Sequence, residues 1–431
     1  MANGGNNQRI AARTRKIRAR NSRYVRIFLV IIALVIAFVG GFLVRGNTAL
    51  LQTLGFSQTI TGAATKTPDA AAAKKDVFNA LSVRVAETED ILSSDSLNGY
   101  DLSEVTEATL AAFADSTGDS YVRYYSPSRY ESLLNDQNES YAGVGVLFSE
   151  NNGQAYVVDV FEGSQSQAAG IREGDFVVAI DGDRSQTWSR SEAAAVLSQK
   201  NGSSVVITWR RPESFMADGG EERTTTLDCR EYEETNISTD YDSDEKVGYI
   251  KVRQFTQNSA TLASRALTEL EQQGARAYVL DLRDNPGGYL SQAVDIASLF
   301  MSAGTVVEVQ TKDGNSVKGA TGNPKTTYPL VVLVNKNTAA AAEVVAAALK
   351  ESQRATLVGV TTLGKGSVQV LHELSFGGAL RYTAAYYMTP QGHVIDQVGV
   401  SPNVSVENDS SDVDSQLNFA HDSAAALVTE D

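Results

Sequence analysis

Apolar positions recur with two different periods in the second half of the chain. Short apolar runs typical of buried strands, such as "AYVLDLR" and "YPLVVLVN", are separated by segments with apolar residues at helical spacing, such as "SATLASRALTELEQQGA" and "YLSQAVDIASLFM". Gly274 ends the first of these helices. Strands that alternate with helices predict an α/β core with a layered sheet, in which active-site residues collect at turns that leave the strand ends.

The pattern that precedes this core changes twice. Residues 76–140 have helical spacing in "VFNALSVRVAETEDIL" and "SEVTEATLAAFA" and predict an N-terminal helical region. We interpret the tyrosines that follow, in "DSYVRYYSPSRYESLL", as core and interface anchors. Residues 141–231 have strand chemistry around one short helix, and their insert "RPESFMADGGEE" predicts an exposed hairpin loop. The α/β core then covers residues 232–406, and residues 407–431 are predicted to form an acidic C-terminal tail.

One long apolar run lies near the N-terminus. Residues 27–44, "IFLVIIALVIAFVGGFLV", carry no charge and as a helix would span about 27 Å, close to the hydrocarbon thickness of a bilayer. Eight Lys or Arg and no acid precede this run. The positive-inside rule predicts a cytoplasmic tail at residues 1–26, an uncleaved transmembrane signal anchor, and a linker at residues 45–75. A cleaved signal peptide is the alternative, although its apolar region is usually shorter.

This anchor places the rest of the chain outside the cytoplasm, as a single-pass protein of the cell membrane. The net charge is −15, and without the eight basic residues of the tail 29 basic residues remain against 52 acidic ones, a net of −23. This strongly negative charge of the folded part argues against nucleic acid as a partner. No metal or nucleotide motif occurs, and we predict no cofactor. The single cysteine, Cys229, excludes an internal disulfide and is interpreted as a small buried hydrophobe.

Two short stretches carry candidate chemistry. Residues 281–288, "DLRDNPGG", end a buried strand; alone they read as a Pro-Gly turn, but adjacent glycines at a strand end can also expose the N–H groups of an oxyanion hole. Lys365 lies between Gly364 and Gly366 in "GKGSVQ". A loop lysine is usually solvated, whereas a desolvated lysine has a lowered pKa and can act as a general base. The residues alone leave both alternatives open.

Residues 141–231 resemble a PDZ domain. The resemblance rests on "GVGV", residues 143–146, and on "AAGIREGDFVVAIDG", residues 168–182. It implies that backbone N–H groups of Gly143, Val144, Gly145 and Val146 bind the C-terminal carboxylate of a peptide, which adds a strand beside this loop. Glycine is needed there because a Cβ would block the approach.

Residues 76–406 as a whole resemble the carboxyl-terminal processing, or tail-specific, proteases. The matching motifs are "YAGVGV", "VGYIKV", "LRDNPGG", "VLVNKNTAAAAEVVAAAL", "GKGSVQ" and "LRYTAAYYMTPQGHVIDQVGVSPN", in the order of the family. The resemblance implies a ClpP/crotonase-like core with an inserted PDZ domain and a serine-lysine mechanism. The nucleophile aligns with position 340, 25 residues before Lys365 as the family requires. Lys365 is then the general base, Gln369 orients it, and Gly287, Gly288 and Ala341 supply the oxyanion hole.

This chain departs from the family at the decisive position, because Ala340 has no hydroxyl and cannot attack a peptide bond. Ala340 lies in "NTAAAAEVVAAAL", for which we predict a helix capped by Asn337 and Thr338. The chain is either a serine-to-alanine variant of an active protease or a natural pseudoprotease that binds tails; a PDZ scaffold is a third class. Retention of Lys365 and Gln369 favours the first.

The expected partners are the C-terminal tails of proteins or peptides and, through the anchor, the membrane. The resemblance also leaves open a homodimer through the N-terminal helices and a need for an adaptor protein. Many relatives couple the PDZ domain to the catalytic residues through an Arg-Gly near the end of the PDZ helix. Ser198 and Gln199 stand there in this chain, so coupling through that arginine is not expected.

Overall fold

The computed structural model describes residues 80–134, 142–232, 236–408 and 413–428. The predicted cytoplasmic tail (1–26), signal anchor (27–44) and linker (45–75) lie outside these ranges. Within them, no helix combines the length and apolar character needed to cross a membrane. The chain divides into two compact units between Gly99 and Tyr100. The described part of the first unit is one helix, α1 (Leu81–Asp95), none of whose residues is buried.

The second unit opens with two helices and a strand rather than with helices alone. Helix α2 (Leu102–Asp115) begins at Asp101, whose carboxylate accepts hydrogen bonds from the N–H groups of residues 103 and 104. Strand β1 (Arg123–Tyr125) and helix α3 (Pro127–Leu134) follow. Strand β1 pairs antiparallel with residues 379–381 of the core, and all three of its residues are buried. The predicted helical region therefore also contributes a strand to the core.

The next part has the expected strand-rich pattern. Strands β3 to β7 form one antiparallel sheet in sequential order, and β2 pairs with β8. Cys229 is buried, as predicted, and burial raises the pKa of its thiol to about 11. The insert predicted as a hairpin loop connects β6 to β7. The elements are β2 (Ala142–Gly143), β3 (Val146–Asn151), β4 (Gln154–Val160), α4 (Gln165–Ala168), β5 (Phe176–Ile180), α5 (Arg190–Gln199), β6 (Ser204–Arg211), β7 (Glu221–Asp228) and β8 (Arg230–Glu231).

The core alternates strands and helices, as the periodicity predicts. Its elements are β9 (Ile237–Asp242), β10 (Val247–Val252), α6 (Ser259–Gln273), β11 (Ala277–Asp281), α7 (Leu290–Phe300), β12 (Thr305–Thr311), β13 (Gly314–Gly319), β14 (Leu330–Val334), α8 (Ala341–Glu351), β15 (Thr356–Gly359), β16 (Ser367–Glu373), β17 (Ala379–Met388), β18 (Val404–Ser405) and α9 (Ser415–Ala425).

The main sheet has the order β18-β15-β14-β11-β10-β9, with all neighbours parallel except β9 and β10. Strand β14 shows why the strands of this sheet are unbroken apolar runs in the sequence. Leu330, Val332 and Val334 enter one hydrophobic cluster, with helices α6, α7 and α8. Val331 and Leu333 enter a second cluster on the opposite face, with helix α9. Because side chains alternate along a strand, both faces must be apolar.

A second sheet lies beside the main one, with β17 at its centre. Strand β17 pairs with β1, β12 and β16, and β12 pairs with β13. Helix α9 corrects the prediction of an acidic C-terminal tail for residues 407–431. Its Ala420 and Ala424 are fully buried, and Arg283 of the core forms an ion pair with Asp414 at 2.7 Å. The tail interpretation missed these small apolar contacts because acidic residues dominate the segment.

Candidate active site

The turn between β14 and α8 holds residue 340 in a strained conformation. Ala340 has φ 51° and ψ −116°, which only glycine adopts readily, and it is the residue that precedes the helix. Its N–H donates to Glu343 Oε2 at 2.8 Å. The predicted caps, Asn337 and Thr338, were wrong, since the helix begins three residues later. Such a turn presents the residue at the tip to a neighbouring surface.

Asn337 and Thr338 instead fix the turn to adjacent loops. Thr338 Oγ1 donates to the carbonyl of Leu282 at 2.9 Å. Asn337 is fully buried, and its Nδ2 donates to Asp284 Oδ1 at 2.9 Å and to Glu173 Oε1 at 2.7 Å. Glu173 belongs to the "AAGIREGD" loop before β5, so the strand-rich domain contacts this turn directly.

Glu343 joins the turn of residue 340 to the lysine turn. Its carboxylate is fully buried and accepts four hydrogen bonds. The donors are the N–H groups of Ala340 (2.8 Å), Gly364 (2.7 Å) and Lys365 (2.8 Å) and the hydroxyl of Thr362 (2.5 Å). Burial raises the pKa of Glu343 to about 7, although these hydrogen bonds act in the opposite direction.

The glycines beside Lys365 are required by close packing, as the sequence predicts. A Cβ on Gly366 would lie 2.2 Å from the backbone nitrogen of Asp396, and Gly364 has φ 84°. The Lys365 side chain is partly buried, and its Nζ lies 5.6 Å from the centre of the Tyr121 ring. Burial lowers the pKa of Lys365, while Glu150 acts to raise it. The desolvated alternative therefore describes this lysine better than the solvated one.

Three charged residues around Lys365 were missed by sequence reasoning. Glu150, on β3, is buried and pairs with Arg381 of β17, and its carboxylate also accepts from the N–H of Arg190 at 3.0 Å. Burial opposes ionisation of Glu150, but Lys365 and Arg381 outweigh it and lower its pKa to about 2. The sequence signals Glu150 and Arg381 only as charges inside strand patterns, in "VLFSEN" and in "ALRYTAAYYM".

The "DNPGG" turn lies against residue 340. Gly287 has φ 88°, and a Cβ there would lie 2.9 Å from Ala340 Cβ and 3.0 Å from the nitrogen of Ala341. The Gly287 N–H already donates to Asn285 Oδ1 at 2.8 Å, which corrects the assignment of this N–H to an oxyanion hole. Among the described residues, no hydrogen bond uses the N–H of Gly288 or Ala341. These two N–H groups are left as candidate oxyanion donors.

Gln369 does not contact the lysine as expected. Its Nε2 donates to Ser367 Oγ at 3.0 Å, and no hydrogen bond joins it to Lys365 in the described part of the chain. The reason is local: Gln369 follows a register shift in the pairing of β16 with β17. The structure thus brings together residues 340, 341, 287 and 365, whereas the Gln369 amide bonds within its own strand, β16.

The predicted peptide-binding loop lies beside the same site. All four of its residues are buried, and the carbonyls of Val144 and Gly145 accept from Ser166 Oγ and the N–H of Phe161. Gly145 has φ 83°, and a Cβ there would lie 2.8 Å from the Tyr232 ring. Arg190, at the start of α5, donates to the carbonyl of Pro286 at 3.3 Å. The loop is therefore packed within its own domain, and that domain also contacts the DNPGG turn through Arg190.

Comparisons with known proteins agree with this arrangement. Residues 246–406 match the peptidase family S41, and residues 156–211 match the PDZ domain. The chain is 37% identical over 323 residues to a carboxyl-terminal-processing protease of Picosynechococcus sp., covering 73% of this chain and 76% of that protein. It is 32% identical over 318 residues to the carboxy-terminal processing protease CtpA of Bacillus subtilis, covering 73% and 67%.

A solved structure is similar over nearly the same range. The photosystem II D1 C-terminal processing protease matches with a TM-score of 0.64 and 27% identity, covering 83% of this chain and 96% of that chain. The chain therefore belongs to the S41 family of carboxyl-terminal processing proteases, serine-type peptidases that carry a PDZ domain. The PDZ resemblance and the protease resemblance are both confirmed. The ClpP/crotonase-like description of the core stays a prediction.

Proposed function

We propose that this protein is built to cleave proteins near their C-terminal tails by a serine-lysine mechanism, with the nucleophile at position 340. One observation carries the proposal: Glu343 Oε2 accepts the N–H of residue 340 and the N–H of residue 365, each at 2.8 Å. A carboxylate that fixes both turns supports their use as a functional pair. With Ala340 in place, the chain has no nucleophile there, and we expect no hydrolysis.

The chemistry of an Ala340→Ser form follows from these positions. Neutral Lys365 takes the serine proton while the serine oxygen attacks the scissile carbonyl carbon. The N–H groups of Gly288 and Ala341 stabilise the negative charge on the carbonyl oxygen. The amine product leaves with the proton returned by Lys365. A water molecule, deprotonated by the Lys365 amine, then attacks the acyl carbon. The ester bond to the serine breaks, and Lys365 returns the proton to the serine oxygen.

We further propose that the PDZ loop captures the free carboxylate of a substrate tail. Val144, Val146 and the whole of β3 except its last residue are buried against neighbouring groups. Val144 and Val146 belong to the hydrophobic core of the PDZ domain itself, so their burial reflects the domain's own packing and holds the loop backbone in place for a tail. Small or aliphatic terminal side chains suit the apolar surroundings of the loop.

The proposed location is the extracytoplasmic side of the cell membrane. Support comes from the sequence alone, from the uncharged run at residues 27–44 and the eight basic residues before it. The acidic charge of the rest of the chain agrees with protein tails, rather than nucleic acid, as the partner.

A tail-binding pseudoprotease is the second candidate, and Ala340 itself favours it. The test compares the Ala340 chain with Ala340→Ser on an unstructured substrate, with products identified by mass spectrometry. We expect cleavage near the substrate C-terminus in the serine form alone. A serine form as inactive as its parent would support the pseudoprotease. Equal, clearly nonzero rates in both forms would show that residue 340 is not the nucleophile position.

A further inference from the structure

The Lys365 amine lacks the partner that its expected role requires. A general base must be held in one place so that it meets the nucleophile's proton. Within the described ranges, Lys365 Nζ forms no ion pair and no hydrogen bond, and the amide of Gln369 is engaged by Ser367. The group found against the amine is the ring of Tyr121, 5.6 Å from Nζ to the ring centre.

The backbone of Tyr121 is fixed in place beside the second sheet. The carboxylate of Asp119 accepts the N–H of Tyr121 at 2.9 Å and the N–H of Thr383, on β17, at 3.3 Å. These two bonds tie the backbone of Tyr121 to the second sheet. The phenol lies toward the backbone of Asn152, in the turn between β3 and β4 of the PDZ domain. The ring therefore spans from the core to the PDZ domain.

The ring also faces a second cation. Arg381 Cζ lies 5.9 Å from the ring centre, on a side chain that is itself buried and paired with Glu150. An aromatic face attracts a cation and excludes water from it. The Lys365 amine and the Arg381 guanidinium therefore lie near the same ring, and that ring is the surface that packs the lysine.

We propose that Tyr121 is the positioning residue for Lys365, in the role that the family resemblance gives to Gln369. The inference rests on the proposed serine-lysine mechanism. The ring holds the amine through its face and keeps water from it. The backbone bonds of Asp119 fix the position of the ring relative to β17. Other charged groups that face Lys365 are Glu150 on β3, Arg190 on α5, Arg381 on β17 and Glu343 on α8.

The first test needs no activity and uses the full Ala340 chain. Lysines are labelled with limiting acetic anhydride at a series of pH values, and the labelled fraction of Lys365 is followed by mass spectrometry. Tyr121→Leu admits water to the amine, and we expect this gain in hydration to outweigh the loss of the ring's attraction for the ammonium. The labelling midpoint should therefore move to higher pH by about one unit, a tenfold rise in proton affinity. Tyr382→Leu, which removes a partly exposed tyrosine from β17, is the matched control and should label like the parent.

Tyr121→Phe keeps the ring and loses only the phenol. We expect its midpoint to stay nearer to that of the parent than to that of Tyr121→Leu. If the thermal transition of Tyr121→Leu shows that this variant does not fold, the labelling midpoint of Tyr121→Phe still tests the proposal. A phenylalanine variant with the midpoint of an ordinary exposed lysine would overturn the proposal, as would a folded leucine variant that labels like its parent.

The second test uses the Ala340→Ser form. Tyr121→Leu should lower kcat at least tenfold, with little change in KM, and move the acid limb of the kcat/KM profile to higher pH. A merely structural role would lower the amount of folded enzyme without moving that limb. If the serine form is inactive, the proposed function fails, but labelling still decides whether Tyr121 packs the amine. An unmoved acid limb beside normal turnover would reject the positioning role.

Discussion

The backbone N–H groups of Ala340 and Lys365 donate to the same oxygen, Oε2 of Glu343, each at 2.8 Å. The other oxygen, Oε1, accepts from Thr362 and Gly364. One carboxylate thus fixes both the turn of the proposed nucleophile position and the turn of the proposed base, although 25 residues separate them. Because Glu343 is buried, its charge state controls how well these two turns are held.

The stability of the protein should fall with rising pH through Glu343. Its pKa is about 7 in the folded protein against an ordinary value of 4.5. The folded state therefore binds more protons between these values, and stability decreases as pH rises from 4.5 to 7, by about 3 kcal/mol at ~1.4 kcal/mol per pH unit. Glu343→Gln should lose this slope.

Thermal or urea unfolding of both chains across pH 4.5 to 8 measures the effect as the difference between variant and parent. The exposed Glu269→Gln, on α6, is the matched control and should follow the parent. A parent and a Glu343→Gln variant with parallel pH dependence would show that Glu343 stays ionised throughout.

Lys365 and Gln369 should differ sharply in importance in the Ala340→Ser form. Lys365→Ala removes the base, and we expect a loss of about 10²- to 10⁴-fold in kcat. Gln369→Ala should cost less than about tenfold, because its amide contacts Ser367 and not the lysine. Steady-state cleavage of an unstructured substrate measures both. Near-normal turnover by Lys365→Ala would remove the serine-lysine mechanism.

Gly287 should be required for the space it leaves beside residue 340 and not only for its positive φ. Gly287→Ala places a methyl group 2.9 Å from Ala340 Cβ, at φ 88°. Gly392 has a similar φ of 80° but open space around it. Both alanine variants should be destabilised by about 1 kcal/mol or more. Only Gly287→Ala should abolish cleavage by the Ala340→Ser form, and equal activities in the two variants would contradict this.

The PDZ loop should distinguish a free carboxylate from an amide. A peptide with an aliphatic C-terminus should bind the Ala340 chain with a Kd on the order of micromolar, since few residues dock. Its C-terminal amide should bind at least tenfold more weakly because the loop N–H groups favour the charge. Calorimetric titration of both peptides decides the point. Equal affinities would favour a PDZ domain that serves as a cover.

The main elements of the fold could be predicted because each carries a local signal. Apolar runs between amphipathic helices define the α/β core, and glycine turns locate both the DNPGG loop and Lys365. The helix caps were misplaced because Asn337, a good capping residue, is recruited by Asp284 and Glu173 from other segments. A cap is a local preference, and buried tertiary hydrogen bonds override it.

The surroundings of the lysine could not be predicted for a similar reason. Tyr121, Glu150 and Arg381 come from three segments that lie far apart in sequence. Each has an ordinary local interpretation, as a core tyrosine or as a charge at a strand edge. Their convergence on Lys365 is a product of domain packing, which no periodicity records.

Strand β1 gives the catalytic core an unexpected dependence on residues before the PDZ domain. Arg123, Tyr124 and Tyr125 cover residues 379–381 of β17. A fragment that starts at residue 232 would therefore expose backbone donors and acceptors of a sheet edge and favour self-association. The protease domain is therefore discontinuous in sequence, because the PDZ domain is inserted between β1 and the rest of the core. Trimming from the N-terminus as far as residue 125 would remove both Tyr121 and the strand that covers β17, although it would leave residue 340 and Lys365 untouched.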